Sequence, residues 1–216
     1  MNIILIGAQG SGKGTQAQRL AQSLGIRHVA SGDLFRKEIE ELSELGLKAK
    51  EYIDRGSLVP DDITVDMILK KLREPASAPG VLLDGFPRTV AQAQALDTDL
   101  EASGRRIDCV VYLKVPHDVL LKRLSGRYIC RAQQHVYNVV TKPPKVPGVC
   151  DIDGSELFQR SDDQGEAVQK RLDTFFKETT HLFDYYQDQR KLVEVNGNQS
   201  IEQVQLDLVE TIKRAI

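Results

Sequence analysis

The chain has 216 residues, long enough to bury a full hydrophobic core in one body with insertions, and its 29 Lys plus Arg nearly balance 31 Asp plus Glu. A net charge of −2 gives no long-range pull toward nucleic acid or an anionic membrane, so any anion must be held by local basic clusters. No apolar run approaches a membrane span, the short apolar start lacks a basic leader, and three scattered cysteines make no disulfide framework, so a soluble, unprocessed, cytoplasmic protein is expected.

Residues 2–6 (Asn-Ile-Ile-Leu-Ile) form a continuous apolar run, as in a strand buried on both faces. A glycine-rich turn follows and leads into a helix from Lys13 to Leu24, with Ala17, Leu20, Ala21 and Leu24 on one face. Residues 30–59 are charged and helical in pattern with no strand among them, an insertion in which Ser31 can cap a helix starting near Asp33. After Pro60 a helix over 61–72 opens with an acidic cap, and strands are expected at 81–83 and 109–113. A helix from about Asp118 would carry Arg123 and Arg127 at i, i+4 on one face. Next, residues 126–163 hold Pro143, Pro144, Pro147 and Gly148 with β-like runs such as 135–140, and read as a small separate lobe. A last strand at 192–195 precedes a helix with Ser200 and Gln203 as a capping box and Ile201, Val204, Leu208 and Ile212 as its stripe. Strands interleaved with helices predict an α/β fold with a parallel sheet: a core of 1–29, 60–126 and 164–216, an insertion at 30–59 and a lobe at 127–163.

The turn after the first strand reads Gly7-Ala8-Gln9-Gly10-Ser11-Gly12-Lys13-Gly14-Thr15, a phosphate-binding loop. Glycines let successive N–H groups face one anion, the helix N-terminus adds partial positive charge, and Lys13 adds a full one. The Thr15 hydroxyl can approach a magnesium ion or a phosphate oxygen, one residue later than the general pattern places it. Four glycines, a Lys and a Thr at these places arise by chance in about one chain in 50,000 of this length, which disfavours a mere glycine-rich turn.

This loop resembles that of the nucleoside monophosphate kinases, and Leu83-Asp84-Gly85-Phe86-Pro87-Arg88-Thr89 followed by Gln92 is similar to the adenylate kinase signature. With Ser31-Gly32-Asp33, Arg36 and the later arginines, the resemblance spans the chain and includes the long bacterial insertion. It implies a P-loop NTPase-type core, a helical AMP-binding insertion and a β-type lid. The implied activity is reversible transfer of the terminal phosphoryl group from magnesium ATP to AMP, giving two ADP, in a monomeric enzyme that maintains adenine nucleotide balance. On the ATP side it implies Gly10, Ser11, Gly12, Lys13, Gly14, Thr15, Arg123, Arg127, Val136, Tyr137 and Gln199. On the AMP side it implies Ser31, Arg36, Ser57, Leu58, Val59, Gly85, Phe86, Pro87, Arg88 and Gln92, with Arg160 and Arg171 as phosphate ligands near the transferred group.

The residues carry some of this unaided. Asp84 at a strand end can hold a metal-bound water or cap a turn, and Arg88 on a turn can grip a phosphate through two parallel hydrogen bonds. Gln92 lies four residues beyond Arg88 and offers both a donor and an acceptor. Arg123 and Arg127, stacked as like charges, call for an anion or an ion pair with Asp162 or Asp163. Metal-bearing relatives hold structural Zn2+ on a Cys-x-x-Cys turn followed by Cys-x-x-Cys or Cys-x-x-Asp; here Cys130 is present, Cys150 and Asp153 supply a Cys and an Asp, Gln133 is a poor ligand, and His135 completes a candidate set. The alternative is a metal-free lid. A kinase for UMP, CMP or GMP, a nucleotide switch, and a nucleic-acid ribbon are competing readings.

Overall fold

In chain order the elements are β1 (Asn2–Ile6), α1 (Lys13–Leu24), β2 (Arg27–Ala30), α2 (Ser31–Glu40), α3 (Glu44–Asp54), α4 (Asp61–Arg73), β3 (Val81–Asp84), α5 (Val90–Ala102), β4 (Cys109–Lys114) and α6 (His117–Ser125). They continue with β5 (Arg127–Cys130), β6 (Val136–Asn138), β7 (Leu157–Phe158), α7 (Gly165–Thr174), α8 (His181–Asp188), β8 (Leu192–Asn196) and α9 (Ile201–Ala215). These come from a computed structural model that describes residues 1–75, 79–139 and 141–216. Among them, five strands form a parallel sheet in the order β2-β3-β1-β4-β8.

Both faces of the sheet are covered, as the unbroken apolar run of β1 requires. Ile4, Ile6, Leu83 and Val110 pack with Ile68 of α4, Leu96 of α5, Leu124 of α6, Leu172 of α7 and Leu182 of α8. Ile3, Leu5, Leu82 and Val111 pack on the other side with Leu20 of α1 and Leu208 of α9. The α/β prediction therefore holds, with one strand unforeseen. β2 lies at the sheet edge, pairing with β3 from Arg27↔Val81 to Ala30↔Asp84, and its Arg and His break the apolar pattern because only Val29 is fully buried.

Several local expectations are corrected. α2 starts at Ser31, not near Asp33, so Ala30 is its N-cap and Ser31 lies inside the helix. Asp61 is the first residue of α4, Pro60 is the N-cap, and no side chain caps that helix. α6 ends at Ser125, so Arg127 opens β5 and shares no helix face with Arg123. Thr89 caps α5 by accepting from the Gln92 N–H, which leaves Arg88 outside the helix. In α9 only half the capping box forms: Ser200 Oγ accepts from Gln203 N at 3.2 Å, while the Gln203 amide turns to Asp207.

The two predicted interruptions carry small cores of their own. Phe35, Ala49 and Val59 pack together beside α2 and α3. β5 pairs antiparallel with both β6 and β7 over Cys130, Tyr137, Cys150 and Leu157. Of the β-like run at 135–140, Val136–Asn138 is strand and Val140 lies outside the described residues. No described helix is long and apolar enough to cross a membrane.

Candidate functional site

Parallel strands in one sheet deliver their C-terminal ends to a common edge, and ligands of open α/β sheets bind outside that edge. β1 ends in the phosphate loop, β2 in Ser31, and β3 in Asp84 and Gly85. Gly10 (φ 83°) and Gly12 (φ 95°) take the left-handed conformation that the loop needs, and Gly12 is the N-cap of α1. Lys13 Nζ folds back over the loop and donates to Gly7 O at 2.5 Å and Ala8 O at 3.1 Å. Burial pushes its pKa down to about 8, with Arg88, Arg127 and Arg171 adding repulsion and Asp84 opposing them. Ser11 Oγ, also buried, has no partner among the described residues.

The loop abuts Asp84: a Cβ placed on Gly14 would stand 3.8 Å from Asp84 Oδ2. Burial disfavours the Asp84 charge, but His28 at 3.6 Å and the charges of Lys13 and Arg88 outweigh it and hold the carboxyl below its ordinary pKa. Ionised Asp84 beside the phosphate loop suits a hard divalent cation brought in with a polyphosphate. His28 had no signal in the sequence because β2 was not legible as a strand.

A cavity of about 330 Å³ opens beside this edge and brings together Ser31, Arg36, Ser57, Leu58, Val59, Gly85, Arg88, Gln92, Arg160 and Arg171. Ser31 Oγ and Arg88 Nε both donate to Gly85 O, at 2.7 and 2.8 Å. The two terminal nitrogens of Arg88 have no hydrogen-bond partner among the described residues, so the fork that a phosphate would fit is left free. Burial and neighbouring arginines push Arg88 and Arg160 down to about 10. Phe86 and Pro87 are buried behind this wall and do not line the cavity. Phe35, Gln134 and Phe158, which the sequence reading did not single out, do line it.

Carboxylates tether most of the remaining guanidinium groups. Arg36 pairs with Asp33. Arg127 makes two hydrogen bonds to buried Asp163, which also receives Arg171 at 2.7 Å, while Asp162 lies 2.9 Å from Arg171. The ion pair proposed as a rival to anion binding therefore exists for Arg127. Arg160 reaches Gln134 Oε1 at 3.2 Å and keeps a buried, unpaired Nε. Arg123 donates to Gly197 O at 3.2 Å. Tyr137 is buried in the small β lobe with its hydroxyl 3.4 Å from Cys150 Sγ, Val136 is exposed, and the Gln199 amide bonds Asn196 O and Asp207; none of the three lines the cavity.

In the lobe, one ligand atom each from Cys130, His135, Cys150 and Asp153 lies within 4.8 Å of all the others. Cys130 Sγ is 3.0 Å from Asp153 Oδ2, Cys150 Sγ is 3.4 Å from His135 Nδ1, and His135 Nδ1 is 3.3 Å from Asp153 Oδ2. Ligand atoms around a tetrahedral zinc with bonds of about 2.0–2.3 Å stand roughly 3.3–3.8 Å apart, so this donor set fits that ion. Gln133 contributes only its N–H, which donates to Cys130 Sγ at 3.3 Å.

Comparison with known proteins points the same way as the loop and cavity. The family model described as adenylate kinase matches residues 5–191. Curated relatives named adenylate kinase include those of Bacillus velezensis, 48% identical over 98% of both chains, and Bacillus subtilis, 47% identical over 98% of both. That of Streptomyces avermitilis is 46% identical over 99% of this chain and 98% of its own. A match of this extent, on a chain whose phosphate loop and arginine-lined cavity share one sheet edge, places it in the adenylate kinase family.

Proposed function

We propose that the chain catalyses reversible phosphoryl transfer between ATP and AMP, giving two ADP. The free Arg88 fork carries this reading, because it shares a cavity with Gln92 and opens beside the phosphate loop. Loop N–H groups and Lys13 hold the ATP phosphates, with Arg123, Arg127, Val136, Tyr137 and Gln199 on the nucleotide's outer side. Arg36 and Arg88 hold the AMP phosphate, and Gln92 reads its base. Arg160 and Arg171 face the group in transit.

An AMP phosphate oxygen attacks the γ-phosphorus as the bond to the β-phosphate oxygen breaks, so no general base is required. Charge spreads over the transferred oxygens, and fixed cations and N–H dipoles stabilise it without reorganising. Asp84 and Thr15 would hold magnesium, which neutralises phosphate charge when bound. The β lobe acts as a lid that closes over the core and excludes competing water, the insertion of 30–59 closes from the AMP side, and zinc on Cys130, His135, Cys150 and Asp153 is structural. The enzyme works as a cytoplasmic monomer in adenine nucleotide balance.

A coupled assay offering AMP, UMP, CMP and GMP in turn with magnesium ATP tests the assignment. AMP should be preferred by a wide margin, and the Lys13→Met protein should be folded but inactive. Equal use of UMP or CMP, or Lys13→Met activity within tenfold of the unsubstituted protein, would overturn it.

A further inference from the structure

Asp61 opens α4, yet its carboxylate serves α5 instead of its own helix. Its Oδ2 accepts from Thr89 Oγ1 at 2.8 Å and its Oδ1 from Gln92 Nε2 at 2.7 Å. The other end of the same amide, Gln92 Oε1, accepts from the Arg88 N–H at 2.8 Å. A carboxylate only accepts and a main-chain N–H only donates. Turning the amide by 180° would set oxygen against carboxylate and NH2 against N–H, losing both bonds in a residue that is 1% exposed. The orientation of Gln92 is therefore dictated by its neighbours.

That orientation has a chemical meaning. One N–H and one lone pair of the amide are used, and the remaining N–H and lone pair are what Gln92 offers to the cavity it lines. A 6-aminopurine presents a donor at C6 and an acceptor at N1, whereas a 6-oxopurine presents an acceptor at C6 and a donor at N1. One amide can serve either base, but only in opposite orientations. A freely flipping amide would not discriminate; a locked one does.

We propose that Asp61 is a specificity-determining positioning residue, which locks the Gln92 amide so that the site accepts 6-amino and rejects 6-oxo purine nucleoside monophosphates. Asp61 does not line the cavity; it reaches the site through Gln92 and through Thr89, the N-cap of α5. The inference rests on Gln92 reading the acceptor base.

The test compares kcat/KM for AMP and for inosine 5′-monophosphate, which differ at C6 and N1 alone. In the Asp61→Asn protein the new side chain can donate as well as accept, so its bond to Gln92 survives either amide orientation and only the Arg88 N–H still opposes the flip. The AMP preference should fall by about tenfold or more, with the KM for ATP unmoved. Asp61→Ala should lower it as well. An unchanged ratio in both variants, with a collapsed ratio in Gln92→Leu, overturns the lock and leaves base reading by Gln92 intact. An unchanged ratio in Gln92→Leu removes that reading and the lock with it. The unsubstituted protein supplies an arm independent of variant folding: the Gln92 side-chain NH2 should show one exchange-protected proton by NMR, and two solvent-like protons would contradict the lock.

Discussion

Lys13 sits in a loop built for anions, yet its own environment resists its charge. Below about pH 8 the lysine of the empty protein is protonated and ready for a polyphosphate; above it, the ammonium form must be regained by taking up a proton when the anion binds. ATP affinity should therefore weaken as pH rises past about 8, by up to about tenfold per unit, and binding near pH 8.5 should be accompanied by proton uptake. Calorimetry in buffers of different ionisation enthalpy reads that uptake directly, and a buffer-independent heat would remove Lys13 from the binding step. Arg88 makes a different demand, because its free fork offers two parallel donors that a point charge cannot copy. Arg88→Lys should lower kcat by about 100-fold or more while the melting temperature holds, and an unchanged kcat would remove Arg88 from phosphate binding. Lys13, Arg88 and Gln92 were legible in the sequence because each sits at a fixed place in a short motif. Asp61 and His28 were not, since Asp61 meets its partner 31 positions away in sequence and His28 meets Asp84 only through the pairing of two strands.

The elements were read best where hydrophobic pattern is strong and worst at their ends. β1 and the stripe of α9 match their patterns, but α6 stops at Ser125, and Arg127 is placed by β5 and by its pairing with Asp163. That carboxylate is fully buried between Arg127 and Arg171 and joins the start of the β lobe to α7. Asp163→Asn keeps the shape but removes the charge, so it should cost about 3 kcal/mol, seen as a melting temperature lower by roughly 6–12 °C. A loss below about 1 kcal/mol would mean that the two guanidinium groups find other partners. In the same lobe, the side chains of Cys130, His135, Cys150 and Asp153 converge although Gln133 breaks the usual ligand spacing. The sequence left a bound metal and a hydrogen-bonded lid open, because spacing alone cannot show whether His135 folds back toward the thiols. Protein purified without chelator should carry about one equivalent of zinc, and its removal should lower the melting temperature. Less than about a tenth of an equivalent, with a melting temperature indifferent to added zinc, would leave the lobe held by hydrogen bonds alone.

For the whole molecule, the parallel sheet followed from apolar runs alternating with amphipathic helices, and its topology brings the phosphate loop, Ser31 and Asp84 to one edge. The edge strand β2 escaped notice because it buries little, so the position of Ser31 relative to Gly85 could not be read from pattern alone. Two anion sites on one sheet edge, one a loop of N–H groups and the other an arginine-lined cavity, suit transfer between two nucleotides better than hydrolysis of one. The phosphorus-31 NMR spectrum of ADP, incubated with magnesium and the protein, tests this most directly. ADP should give ATP and AMP in near-equal amounts with no inorganic phosphate, and unchanged ADP signals or a rising inorganic phosphate signal would contradict phosphotransfer as the activity.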